Sequence, residues 1–247
     1  MLLAKKFNHE GEWLFRYRSY LPILLLIPGL ILYLVSEMNQ ENTLAQEWWY
    51  VYSCLVISLI GLVIRILTVG CTPDHTSGRN TKEQGAASLN TTGIYSIVRN
   101  PLYLGNFFIW LGVGLLCHNI WFIIIFCFLF MFFYERIIFT EEKFLKKKFG
   151  KKYRNWANRT PVFIPKFNGF RKSVVPFSWK KVLRKEKNGF GAIFVVFCGF
   201  NVLGKLVRGE REFDVFLIGM AAFSFLFYFL IKYLKYNTKI LIDKNRY

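Results

Sequence analysis

The sequence predicts an all-α fold, a polytopic membrane bundle of about six transmembrane helices with a cytoplasmic amphipathic helix. Two observations carry this. The 247 residues are 54% hydrophobic and 19% aromatic, with 27 Phe, which is too apolar for an ordinary soluble domain. The apolar residues also fall into runs close to the roughly 17–25 needed to cross a bilayer, at 21–35, 48–69, 107–117, 120–138, 190–207 and 215–234.

The runs at 21–35 and 107–117 are short. The first follows a basic start, as a signal peptide would. Ser36-Glu37-Met38-Asn39 does not suit a cleavage site after Val35, so a retained helix is expected. The net charge of +18 would suit nucleic acid, but its distribution fits the excess of Lys and Arg on cytoplasmic loops, and no nucleic-acid partner is expected. The 36–47 loop has Glu37, Glu41 and Glu47 and no Lys or Arg, whereas the N-terminus holds Lys5, Lys6, Arg16 and Arg18. The N-terminus is therefore expected in the cytoplasm, as are the 70–101 and 139–188 segments and the tail from Lys235. The basic residues of the outward loop, Lys205 to Arg211, are balanced by Glu210, Glu212 and Asp214.

No repeat divides the chain, which reads as one membrane domain over 1–247 with a core at 70–165 and an additional helix pair at 189–236. Cys54, Cys71, Cys117, Cys127 and Cys198 lack C-x-x-C spacing; they read as small apolar fillers, with neither a disulfide framework nor a metal site. Beyond the fourth run, Ile138, Leu145, Phe149, Tyr153 and Trp156 recur at helical intervals. They predict an amphipathic extension that Gly150 interrupts and Pro161 and Pro165 end.

Three polar constellations fall on the cytoplasmic side. Arg99-Asn100-Pro101 opens the third span, where proline suits the first helical turn. It reads either as a helix start with a snorkelling arginine or as an anion site made by Arg99 and the free N–H groups. Glu135, Glu141 and Glu142 either pair with Arg136, Lys143 and Lys146 on a solvated face or supply counter-charge to a cationic ligand group. The 71–90 loop carries Asp74, His75, Arg79 and Asn80, for which solvation is the simpler reading, since one His makes no metal site. The run from Lys146 to Arg159, interleaved with aromatics, suits anionic lipid surfaces.

Taken together, G-x-Y-x-x-x-R-N-P-x-Y-x-G at 93–105, a helical hairpin, and E-E-x-x-L-x-x-x-F-G-x-x-Y at 141–153 resemble the integral-membrane methyltransferases, the family of isoprenylcysteine carboxyl and phospholipid methyltransferases. The resemblance covers roughly residues 90–165 and implies S-adenosylmethionine as methyl donor. It implies that Tyr95, Arg99, Asn100, Pro101, Tyr103 and Gly105 bind the donor together with Glu141 and Glu142. Many relatives have His where this chain has Asn100. Residues 76–81 with 89–92 look most like bacterial members that methylate the 1-phosphate of lipid A. That subgroup implies a bacterial inner-membrane enzyme with a lipid acceptor. Because an anionic acceptor needs no general base, Arg79, Arg154 or Arg159 is expected to orient it, and no obligate protein partner is expected. The alternatives are an isoprenylcysteine-type carboxyl methyltransferase, a phospholipid N-methyltransferase, and a non-enzymatic scaffold that binds anionic lipid.

Overall fold

The computed structural model describes residues 3–39, 47–74, 76 and 86–243. These form seven α-helices: α1 Leu3–Tyr17, α2 Leu21–Met38, α3 Trp48–Gly70, α4 Pro101–Leu115, α5 Ile120–Ala157, α6 Trp179–Val207 and α7 Val215–Asn237. Short 3-10 turns lie at Ile94–Ser96 and Phe167–Gly169. No β-strand occurs among the described residues; the nearest approach is an isolated antiparallel bridge between Gly93 and Arg171.

Helices α3, α5, α6 and α7 are each long and apolar enough to cross a membrane. The expected first span is the second arm of a pair, α1 and α2, bent by 70°, with proline in the first turn of α2. The expected third span is a 15-residue helix, about 22 Å long at 1.5 Å per residue and shorter than the roughly 30 Å hydrocarbon layer. The separate helix α1 was not foreseen, because its charged residues read as a loop. It is instead amphipathic and lies on α5: Phe7 meets Phe139 edge to face, and Glu10 pairs with Arg136 at 3.5 Å.

Two apolar clusters share α4. One joins Tyr33, Leu55, Leu62, Val113, Phe197 and Leu217 from α2, α3, α4, α6 and α7. The other joins Leu14 and Phe15 of α1, Tyr103 of α4, and Phe126, Phe130, Tyr134 and Ile137 of α5. The short helix is therefore central, and α3 approaches it closely because glycines face each other. A Cβ on Gly61 would lie 2.4 Å from the Gly105 carbonyl oxygen, and one on Gly105 would lie 2.5 Å from Cγ of Arg65. Without a hydrophobic drive between helices in lipid, this backbone approach is where van der Waals contact is gained. At the periphery, α7 buries only Leu217, Ser224 and Ile231, one stripe at seven-residue spacing. It leaves Phe216, Phe223, Phe225, Leu226, Phe229 and Leu230 exposed, as a lipid-facing helix does.

The charge-based sorting of loops into two faces matches what meets at each end of the bundle. At one end Glu37 pairs with Arg208, and Tyr52 donates to Asp214 at 2.9 Å. At the other, Asp74 accepts from Arg184 at 3.1 Å. The Lys181 ammonium, 1% exposed as a residue, donates to the Thr72 carbonyl at 2.6 Å and the Pro73 carbonyl at 2.8 Å. Cys54 and Cys117 are buried free thiols in the first cluster.

Gly61→Val is expected to lower stability by about 1–3 kcal/mol, since the added carbons meet backbone that cannot step aside. Gly199→Ala, where nothing lies within 4 Å of an added Cβ, leaves it unchanged or raised. Thermal unfolding of the detergent-solubilised protein measures both.

Candidate active site

Helix α4 begins with Asn100 as its cap and Pro101 in its first turn. The segment leading into it is tied to the chain that follows α5. The Arg99 N–H donates to the Pro161 carbonyl at 2.8 Å, and the Lys166 N–H to the Ile97 carbonyl at 2.9 Å. The Asn100 amide donates to the Val162 carbonyl at 3.0 Å. The Trp156 indole reaches back to the Tyr95 carbonyl at 2.9 Å. Helix α5 can deliver Trp156 there because it breaks at Gly150, whose φ of 53° and ψ of −121° belong to a region that only glycine enters freely. The interruption expected at Gly150 is thus a change of direction, and the apolar stripe continues beyond it, with Tyr153 buried.

This folding brings together the two motifs that the chain separates. Arg99 Nη1 lies 2.7 Å from Glu142 Oε1, with the side chains 16% and 31% exposed. Arg99 Nε is buried without a hydrogen-bond partner, whereas Glu142 Oε1 is held in the ion pair and the Tyr153 hydroxyl lies close enough to interact with both Arg99 and Glu142. Burial, followed by the Glu142 charge, pushes the Tyr153 hydroxyl up to about 12, so it remains a donor. An unmatched guanidinium N–H beside an ion pair is costly unless something else meets it.

Glu141 sits on the same turn beside the hydroxyl of Tyr103 and within the field of Arg18. It lies about 32 Å along α5 from the helix start, past the hydrocarbon thickness of roughly 30 Å. Burial pushes its carboxyl up to about 7, although Tyr103 and Arg18 pull the other way. Glu135 is different: it is exposed and pairs with its neighbour Arg136 at 2.9 Å, the solvated-face arrangement. The acids therefore divide, with one on the surface and two in the site.

Sequence reasoning passed over Arg65. It lies inside the second apolar run, and its guanidinium donates to both carboxylate oxygens of Glu186 at 2.8 Å and to Asn106 Oδ1 at 2.7 Å. Its charge also reaches the Tyr95 hydroxyl, which places it beside the motif. The available signal was the charge itself, since an arginine within a spanning segment marks function or a partner by default. Of the residues expected to orient the acceptor, Arg154 and Arg159 are exposed and lie at the end of α5. Arg79, with His75 and Asn80, lies outside the described residues.

Comparison with known proteins adds the family. A model described as phospholipid methyltransferase matches residues 54–152. Protein-S-isoprenylcysteine O-methyltransferase B of Arabidopsis thaliana is 34% identical over 144 residues, which cover 56% of this chain and 71% of that protein. The chain belongs to the isoprenylcysteine carboxyl methyltransferase-like family of integral membrane methyltransferases. Protein-S-isoprenylcysteine O-methyltransferase of Saccharomyces cerevisiae is 33% identical over 129 residues, covering 50% of this chain and 52% of that one. The nickel-cobalt-cadmium resistance protein NccN of Alcaligenes xylosoxydans xylosoxydans is 32% identical over 128 residues, covering 51% and 56%. The chain thus spans about half the length of these two. No solved structure matches.

The residues of this methyltransferase fit the methyl donor that such enzymes use, a molecule with both cationic and anionic groups. The unmet Nε–H of Arg99 suits a carboxylate, and the carboxylate of Glu142, 31% exposed, suits an ammonium. Arg99→Ala and Glu142→Gln are each expected to weaken S-adenosylmethionine binding by about tenfold or more, and the double variant by less than the product, because the pair acts as one unit. Calorimetry measures all three.

The raised Glu141 carboxyl gives two pH signatures. Folded Glu141 keeps its proton to about pH 7, whereas an ordinary glutamate loses it near 4.5. Its burial therefore takes stability away as pH rises from 4.5 to 7. Cationic-ligand affinity moves the other way, rising as pH passes about 7 and Glu141 ionises among Tyr103, Arg18 and Glu142. In Glu141→Gln that rise is absent, which a titration of donor affinity between pH 6 and 8 reads.

Proposed function

We propose that this methyltransferase transfers a methyl group from S-adenosylmethionine to an anionic oxygen of a lipid-bearing acceptor, and that the acceptor is a carboxylate of the isoprenylcysteine type. The observation that supports it is the Arg99–Glu142 contact with an unmet N–H of Arg99 beside it, set in a chain whose matched relatives carry isoprenylcysteine O-methyltransferase names. Bound donor supplies an activated methyl on a sulfonium. The protein's own task is then to hold, align and dehydrate. Arg99 and Glu142 hold opposite ends of a zwitterion, Tyr153 adds a neutral donor, and Glu141 adds counter-charge once ionised.

An anionic oxygen needs no general base, which agrees with a described site built of Arg, Glu, Tyr and Asn. The acceptor's hydrocarbon stays in the bilayer while its anionic end reaches α4 from the side, and the donor comes from the cytoplasm with both termini on that side. Arg79, Arg154 and Arg159 remain the residues proposed to orient the acceptor anion.

The lipid A 1-phosphate, expected from the sequence, is the second reading. It is favoured by the density of exposed Lys and Arg from Lys143 to Arg159, which suits a more highly charged acceptor on the inner leaflet of a bacterial membrane. The relatives give it less support than the carboxylate.

One assay separates the two. Purified protein in lipid nanodiscs is given labelled S-adenosylmethionine with either an S-farnesylcysteine derivative or a lipid A precursor. The expected outcome is a base-labile methyl ester on the first, releasing labelled methanol. A methylated phosphate on the second would reverse the assignment. Transfer to neither, with donor still bound, would exclude both acceptors.

A further inference from the structure

We propose that Glu186 on α6 is a positioning residue for the donor site, acting through Arg65, so that the C-terminal helix pair belongs to the catalytic apparatus. The proposal rests on the S-adenosylmethionine reading of that site. Glu186 lies outside the 54–152 segment that carries the family match, whereas Arg65 lies inside it.

The geometry is a chain of contacts through apolar surroundings, polar from Glu186 to Tyr134 and aromatic from Tyr134 to Tyr103. The Glu186 carboxylate, 5% exposed, takes the planar fork of Arg65 with both oxygens at 2.8 Å, which fixes the plane and the direction of the guanidinium. The remaining nitrogen, Nη1, then donates to Asn106 Oδ1 at 2.7 Å. With its oxygen so engaged, the Asn106 amide can point only its NH₂ at the next group, the Tyr134 hydroxyl at 3.4 Å. The Tyr134 ring lies 4.8 Å from that of Tyr103, whose hydroxyl faces Glu141. The stem of Arg65 lies on Gly105, the last residue of the first motif, with no room for a methyl group between them.

Charge explains why one end of this path must be Glu186. An arginine within a spanning helix is costly alone, and without Glu186 its fork would turn toward whichever acid could meet it. The path would then lose the orientation that reaches Tyr103 and Glu141. A neutralised Arg65 attracts an acceptor anion weakly, so its part is alignment rather than binding.

Calorimetry with S-adenosylmethionine and methyl-transfer kinetics on the full chain in nanodiscs test this with three variants. Glu186→Gln, nearly the same shape without the charge, is expected to weaken donor affinity by about ten- to a hundredfold while the acceptor KM changes by less than about twofold, and Glu186→Asp recovers part of the loss. Replacing the whole pair, Arg65→Met with Glu186→Met, restores an apolar interior that folds as well as the parent yet keeps donor affinity low. Unchanged donor affinity in the double variant overturns the proposal, because it shows that only an unpaired charge had mattered. So does a rise in acceptor KM with donor affinity unchanged. The parent chain separates the two levels: if it binds no S-adenosylmethionine, the donor reading fails and the positioning role with it.

Discussion

Everything in this fold depends on how closely α3 and α4 approach across Gly61 and Gly105. That contact draws a 15-residue helix, too short to cross a membrane alone, into the centre of the bundle. It also sets the start of α4 at the depth where Arg99, Tyr103 and Asn106 face groups from α3 and α5. In a bilayer the contact cannot be driven by hydrophobic burial, because lipid tails are as apolar as the side chains they would replace. Fit at the backbone does that work, and glycine is the only residue small enough for it.

The second constraint is polar. Charged groups near a low-dielectric layer persist only if they are paired, hydrogen-bonded or waiting for a ligand. Most in this bundle are paired: Arg65 with Glu186, Arg184 and Lys181 with Asp74, Arg208 with Glu37. Around Arg99 the pairing is incomplete. Arg136 Nε is also buried without a hydrogen-bond partner, so it is the meeting of the two separated motifs at Arg99 and Glu142 that agrees with the methyltransferase family.

Helix α5 solves a mechanical problem in the same chain. Its straight portion crosses the membrane, and the break at Gly150 turns Tyr153 and Trp156 back toward the first motif. Hydrogen bonds from Arg99, Asn100 and Lys166 then close the segment after Thr160 over the start of α4. Asn100 thereby gains a structural task in holding the Val162 carbonyl.

By itself the sequence determined the helical membrane class, the sorting of charged loops into two faces, the proline start of α4, the interruption at Gly150 and the two motifs with their family resemblance. These are properties of local composition, backbone geometry and spacing, and each is written in a few consecutive residues. Only the tertiary structure decided that Glu142 and not Glu135 meets Arg99, that Glu141 lies beside Tyr103, that α1 is a helix lying on α5, and that Arg65 finds its counter-charge 121 residues away on α6. Pairings between helices depend on rotation and depth in the bundle, which packing at Gly61 and Gly105 sets and no periodicity along one helix records.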